Sequence, residues 1–387
     1  MRGQATDQPQ DALDFLDMLR ENDGKKENTF DDISSYMEHK AREKGVPIHG
    51  QFELTPLCNF DCRMCYAHLT PAQLTGRALL TMEQWKALIR GAYDAGMYQS
   101  TLTGGECLTY PGFEEIYLYL HSLGCEVNVL TNGELLNERW VRFFEEHSPA
   151  SIQITLYGSD NDSYERVTGR RAYDTVIANI ERIKAADLPL QLEITPNRYL
   201  GEAVFDTLRT AKGLCKAVQV NSGLFEPREE TGRSGNSDDL SIDDYIRIYK
   251  AERALDGIEV RQIPESMLPE AGGPCRECAE RGLRCGGGRS SFVINWDGRM
   301  HPCNRLEQIT AEPLKAGFLP AWKAVNAQCN DWPRVAECEE CPYDTVCDRC
   351  AATMLQYAEP GVRPEKLCAR TRYLVRNGIR RIPECDV

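Results

Sequence analysis

The chain has 387 residues, 42% of them hydrophobic, and a formal net charge of −14. This is enough for two or three domains around ordinary buried cores, and the acidic balance argues against a nucleic-acid-binding surface as the main function. No apolar run is long enough to span a bilayer, and the N-terminal stretch MRGQATDQPQDALDFLDML lacks a continuous apolar region for secretion, so a cytoplasmic protein without membrane contact is expected.

Residues 1–45 read as a charged N-terminal extension with two weak helical patterns, Ala12 to Arg20 and Phe30 to Lys44. From PIHGQFELTP onward, β-type runs alternate with amphipathic segments, the pattern of repeated βα units around a parallel sheet. The expected strands are His49 to Leu54, Tyr98 to Leu102, Glu126 to Leu130, Ser151 to Leu156, Leu190 to Thr195 and Lys216 to Asn221. The expected helices are Met82 to Ala95, Phe113 to Leu123, Asn137 to Glu146, Tyr173 to Ala186 and Ala203 to Leu214. Six units fall short of a closed eightfold barrel, leaving an open partial barrel or a doubly wound sheet. Either architecture gathers ligands at the C-terminal ends of its strands. A polar, glycine-containing linker, EPREETGRSGNSDD, ends the regular pattern, and the chain divides into a core over 46–264 and a cysteine-rich part over 265–387.

Seventeen cysteines in a reducing compartment point to metal rather than to disulfides. Cys125 and Cys215 stand alone in apolar stretches and read as small buried hydrophobes. In CNFDCRMCY, by contrast, Cys58, Cys62 and Cys65 follow the first expected strand with no fourth partner nearby. A structural zinc site would need that fourth ligand, whereas a [4Fe–4S] cluster can be held by three thiolates with one iron left open. This spacing, C-x3-C-x2-C followed by the aromatic Tyr66, resembles the signature of the radical S-adenosylmethionine (SAM) superfamily.

Further stretches resemble that family at the next strand ends. TGGECL places Gly104, Gly105 and Glu106 after the second strand, like the motif that meets the SAM amino group; the glycines would let backbone approach the ligand. Thr131 and Asn132 after the third strand and Thr155 after the fourth correspond to segments flanking the ribose and methionine parts of SAM, though each residue type also suits a cap or turn. Arg166 is a candidate for the SAM carboxylate, with Arg170 as the alternative. The resemblance implies a partial (β/α)6 barrel, reductive cleavage of SAM to a 5′-deoxyadenosyl radical, and hydrogen abstraction from a substrate. No catalytic acid or base is assigned.

Beyond Pro264 eleven of the seventeen cysteines crowd together. SFVINWDGRMHPC reads as a hairpin turning at Asp297-Gly298. Cys285, Gly298, Cys303 and then CEECPYDTVCDRC and Cys368 follow an order resembling the SPASM domain, which carries two auxiliary [4Fe–4S] clusters. The family's interleaved ligation implies Cys338, Cys341, Cys347 and Cys368 for one cluster. It implies Cys285, Cys303, Cys350 and either Cys278 or Cys275 for the other, with Cys278 at the closer spacing. Two four-cysteine zinc sites are the competing reading. Cys329 and Cys385 are left without a role, and Cys107 is either packing or near the active site.

SPASM proteins mostly modify peptides or proteins, and a minority act on carbohydrate-type small molecules. The expected substrate is therefore a ribosomally made peptide that gains a crosslink or other oxidative modification, with a flavodoxin or ferredoxin-type electron donor. Sulfatase maturases carry an aspartate general base directly after the cysteine of G-x4-C, a place held here by Asn304, which disfavours that activity. The N-terminal extension reads as too short and too charged for a leader-binding module, so leader recognition would fall to a separate protein or to a different surface. A multi-cluster electron carrier is the non-enzymatic alternative, and it would have no use for the SAM-type motifs.

Overall fold

The computed structural model describes residues 30–74, 76–221, 223–232, 240–264, 268, 282–339 and 341–380. The helical pattern at Ala12 to Arg20, and Cys275, Cys278 and Cys385, lie outside these residues. After helix α1 (Phe30–Lys44) the chain alternates β1 (His49–Glu53), α2 (Met82–Asp94), β2 (Gln99–Thr103), α3 (Phe113–Ser122), β3 (Glu126–Thr131), α4 (Glu138–Glu146) and β4 (Ser151–Thr155). It continues with α5 (Asn161–Thr168), α6 (Tyr173–Ala185), β5 (Leu190–Ile194), α7 (Ala203–Leu214), β6 (Val218–Val220) and α8 (Ile242–Leu255). Strands β7 (Ser291–Ile294) and β8 (Met300–His301) precede the longer C-terminal helices α9 (Phe318–Asn330) and α10 (Glu365–Arg376).

The eight strands among the described residues belong to one sheet in the order β6-β5-β4-β3-β2-β1-β7-β8. Strands β1 to β6 pair in parallel with each sequence neighbour, the partial-barrel arrangement expected from six βα units. The anticipated hairpin forms as the antiparallel pair β7–β8, and β7 also runs parallel to β1, with His49 opposite Ser291. Thus a strand from the cysteine-rich part extends the sheet of the core.

Alternation along the strands separates two chemistries. Phe52, Leu102, Val129, Ile152, Ile154, Leu192 and Ile194 are fully buried, and the edge-to-face ring contact of Phe52 with Trp85 of α2 places this side of the sheet under the helices. The intervening positions are polar: Gln51, Glu53, Thr101, Asn128, Gln153, Thr155 and Glu193 face the other way. A sheet whose concave side is filled for stability would carry branched apolar residues there, so this polarity suits a ligand-binding interior. Phe292 of β7 joins the second part to the first, its ring meeting Phe52, Phe318 and Trp322 at centroid distances of 5.9, 5.1 and 6.1 Å.

Candidate active site and cluster-ligand sets

The loop after β1 carries Cys58, Cys62 and Cys65, and neighbouring strand ends hold it in place. Gly105 N–H donates to Thr55 O at 2.7 Å and Glu106 N–H to Leu57 O at 2.9 Å, so the segment after β2 lies along the residues leading into Cys58. A Cβ on Gly104 or Gly105 would stand 2.4 Å from Thr55 O or Leu57 O, and Gly104 has φ of 152°. These glycines are required by the approach of one protein backbone to another, a local cause distinct from the ligand approach expected of them. Helix α5 supplies the second support. Its last carbonyls, Val167 and Thr168, have no partner within the helix and accept Arg63 N–H and Asp61 N–H, both at 3.0 Å. Asp160 caps the start of this helix and Gly169, in the left-handed conformation, ends it.

Within the loop, Cys58 Sγ accepts Phe60 N–H at 3.3 Å and Asn132 Nδ2 at 3.7 Å, and Cys65 Sγ accepts His68 N–H at 3.3 Å. Hydrogen bonds of this kind tune thiolates that ligate iron–sulfur clusters. Burial pushes the Cys58 thiol up to about 12, and the nearby Glu106 and Cys65 add to the effect. Burial likewise raises Tyr157, just past β4, with Cys62, Cys58 and Cys65 as the next contributors.

Glu106 is 1% exposed. It accepts Leu108 N–H at 3.0 Å, Asn132 N–H at 2.7 Å and the Thr131 hydroxyl at 2.9 Å from both oxygens. Among the described residues no cation contributes to its surroundings, and burial raises its pKa despite these bonds. A desolvated carboxylate with donors but no counter-charge is costly, and a bound ammonium would relieve it. Together with the three thiols beside it, this fits a [4Fe–4S] cluster and the amino group of SAM.

The structure thus brings together Gly104, Gly105, Glu106, Thr131, Asn132 and the three cysteines. Thr155 ends β4 opposite Glu193 on the polar face. Arg166 is exposed on α5, whereas Arg170 reaches the same region by donating to Glu134 Oε1 at 2.9 Å. Glu134 in turn accepts Asn59 Nδ2 at 2.5 Å, between Cys58 and Cys62 in sequence. Cys107 is fully buried and its thiol contacts Leu130 O at 3.2 Å and Glu106 at 3.7 Å, which is packing beneath the site.

Sequence reasoning passed over Glu53 and Arg228. Arg228, from the segment after β6, grips Glu53 at the end of β1 with paired bonds of 2.8 and 2.7 Å, and both side chains are almost wholly buried. Glu307 Oε1 lies 2.6 Å from Arg228 Nε, and the guanidinium covers the Tyr66 ring at 5.3 Å. The first and last strands of the parallel set are therefore tied across the mouth of the partial barrel. A glutamate ending the first strand was visible in FELTP, but nothing local marks its partner 175 residues later.

In the C-terminal part, Cys338, Cys341, Cys347 and Cys368 line one cavity with Arg349 and Arg372. The Cys347 sulfur lies 3.4 Å from Thr371 Oγ1. Four thiols among guanidiniums suit an anionic iron–sulfur cluster. Cys303 has its pKa raised by burial and then by Cys285 and Cys350, which puts these three sulfurs in one neighbourhood. Cys329 is fully buried behind them, where a Cβ on Gly288 would stand 2.2 Å from its sulfur. Among the described residues no three His, Cys, Asp or Glu side chains converge tightly enough to chelate a single ion.

Residues 52–198 match the model of the Radical SAM superfamily. The chain carries a radical SAM domain there and is an enzyme of that class, for which the superfamily implies a [4Fe–4S] cluster and SAM. It is 27% identical over 322 residues to the AdoMet-dependent heme synthase of Methanosarcina barkeri, spanning 78% of this chain and 90% of that one. It is 29% identical over 230 residues to the sporulation killing factor maturation protein SkfB of Bacillus subtilis, spanning 58% of this chain and 50% of that protein. Streptococcus suis SuiB, solved with S-adenosylmethionine, superposes with a TM-score of 0.66 over 92% of this chain and 86% of its own at 14% identity, a likeness of fold.

Proposed function

We propose that the chain binds one SAM-cleaving cluster at Cys58, Cys62 and Cys65 and two auxiliary clusters in its C-terminal part, and that it oxidatively modifies a ribosomally made peptide. The auxiliary ligands in this reading are Cys338, Cys341, Cys347 and Cys368 for one, and Cys285, Cys303, Cys350 and Cys278 for the other. The observation carrying it is the meeting of the three-cysteine loop with the uncompensated Glu106 at the ends of β1, β2 and β3. When bound, the cluster and SAM supply reductive cleavage and hydrogen abstraction. The chain's own residues fix the cysteine loop through the Thr55 and Leu57 carbonyls and α5, present a carboxylate to the SAM amino group, and close the barrel mouth through Arg228 and Glu53.

The peptide substrate is supported by the likeness to SkfB, whose name is that of a maturation protein. A small-molecule substrate is the second reading, favoured by the heme synthase being matched over 90% of its length. Electrons would come from a flavodoxin or ferredoxin-type donor, and leader recognition from a separate protein. Anaerobic reconstitution followed by incubation with SAM and dithionite tests the class: formation of 5′-deoxyadenosine supports it and intact SAM defeats it. Coexpression with neighbouring small open reading frames and mass spectrometry tests the substrate. Loss of two hydrogens from one peptide supports a crosslink, while unchanged peptides together with turnover of a tetrapyrrole or sugar defeat it.

A further inference from the structure

A cavity of about 130 Å³ opens between the segment following β6 and the C-terminal helices. Among the described residues its charged lining is one-sided: Arg305, Arg370 and Arg380 against the single carboxylate of Asp348. In a chain of net charge −14, this is a local reversal of sign. The guanidiniums are anchored. Arg380 donates to Val346 O at 2.6 Å, Arg370 packs over Tyr245 at 5.9 Å, and Arg305 packs over Phe225 at 4.9 Å. Arg305 also donates to Cys350 Sγ at 3.8 Å and, among the described residues, pairs with no carboxylate.

The cavity also has a telling position. Phe225, one of its walls, makes an edge contact with Tyr66 at 4.9 Å, and Tyr66 directly follows Cys65. Arg305 touches Cys350 on the other side. An occupant would therefore sit between the SAM-cleaving loop and the Cys285, Cys303 and Cys350 set.

We propose that this cavity holds a carboxylate group of the substrate. Planar guanidiniums grip carboxylates by paired bonds, and aromatic walls keep the forks oriented. The inference deepens the function proposed above and rests on that reading for the word substrate. It assigns an anionic substrate to an acidic protein, the reverse of what net charge alone would select. The shared chemistry can come from an acidic peptide residue or from a small carboxylic acid.

The test uses the reconstituted full chain and fluorescein-labelled hexaglutamate, followed by anisotropy, with labelled hexalysine beside it. Hexaglutamate is expected to bind at least tenfold more tightly than hexalysine. Arg305→Gln and Arg370→Gln should each weaken it at least fivefold, whereas the exposed Arg139→Gln leaves it unchanged. Thr353→Trp, which fills the cavity without altering charge, should abolish binding and tests the site independently of the arginine variants. Equal affinity for the two probes, or unchanged binding in Thr353→Trp or in folded arginine variants, overturns it. Unlabelled glutarate separates the sources. Displacement only at a hundredfold or greater excess over unlabelled hexaglutamate assigns an acidic peptide segment, parity assigns a small carboxylic acid, and no displacement overturns the site. SAM cleavage by the wild type is scored separately. Arginine-dependent binding without cleavage keeps the cavity and removes the radical SAM reading.

Discussion

At the scale of single residues, Glu106 carries the sharpest expectation. A charge-assisted bond to an ammonium contributes roughly 1.5–3 kcal/mol, so Glu106→Gln should weaken SAM binding about tenfold or more while iron content stays constant. Equilibrium dialysis with labelled SAM, alongside iron analysis, checks both halves; unchanged affinity would leave Glu106 as the cap of a turn. Cys329 makes the opposite case. Its fully buried thiol, pushed up to about 12, packs against Gly288, and Cys329→Ala should lower stability without removing iron. Loss of about four irons would make it a ligand instead. What was legible at this scale is what local spacing encodes: the three cysteines, the two glycines and Glu106. Arg166 was proposed from a correspondence of sequence position, yet it lies on the exposed face of α5 while Arg170 turns toward Glu134. Both are exposed; the contact of Arg170 with Glu134, set by how the end of α5 is seated, leads toward Asn59 of the cysteine loop.

At the scale of elements, five of the strands and five of the core helices were readable because each is long enough to show its period, and the three-residue β6 was read within the longer run Lys216 to Asn221. Helix α5 was not. It has eight residues, and its two real signals, the Asp160 cap and Gly169, fall in a stretch read for its polar residues alone. The pairing of β7 with β1 was unreadable for another reason: parallel pairing across most of the chain leaves no local trace. Helix α5 holds the cysteine loop, and β7 flanks the strand that leads into it. The cysteine loop is expected to behave as one element, so Cys58, Cys62 and Cys65 changed together to Ala should abolish SAM cleavage while leaving about eight irons in place. Persistence of 5′-deoxyadenosine formation would show that SAM is cleaved elsewhere. Arg228→Ala should destabilise the fold by about 3–5 kcal/mol, since it leaves Glu53 buried without its partner. Urea unfolding of the anaerobic protein measures this, and a change below about 1 kcal/mol would mean water replaces the guanidinium.

At the scale of the whole molecule, eleven cysteines in one set of three and two sets of four predict about twelve irons per reconstituted chain. Four irons with zinc making up the balance would return the C-terminal sets to structural zinc. No helix among the described residues is long and apolar enough to cross a membrane. The two parts of the chain share one sheet and one core through Phe292, and Phe292→Ala should cost about 3–5 kcal/mol, read as a lowered urea midpoint for the entire protein. The pairing of His49 with Ser291 also sets an order of events during biosynthesis. At 5–20 residues per second, a ribosome that has released β1 needs on the order of ten to fifty seconds to deliver β7. Throughout that interval one flank of β1 offers unpaired amides and carbonyls to any passing strand. The nascent cysteine loop would have its neighbours from β2 to β4 long before that flank is covered, so metal loading could begin on a chain whose sheet is still unfinished.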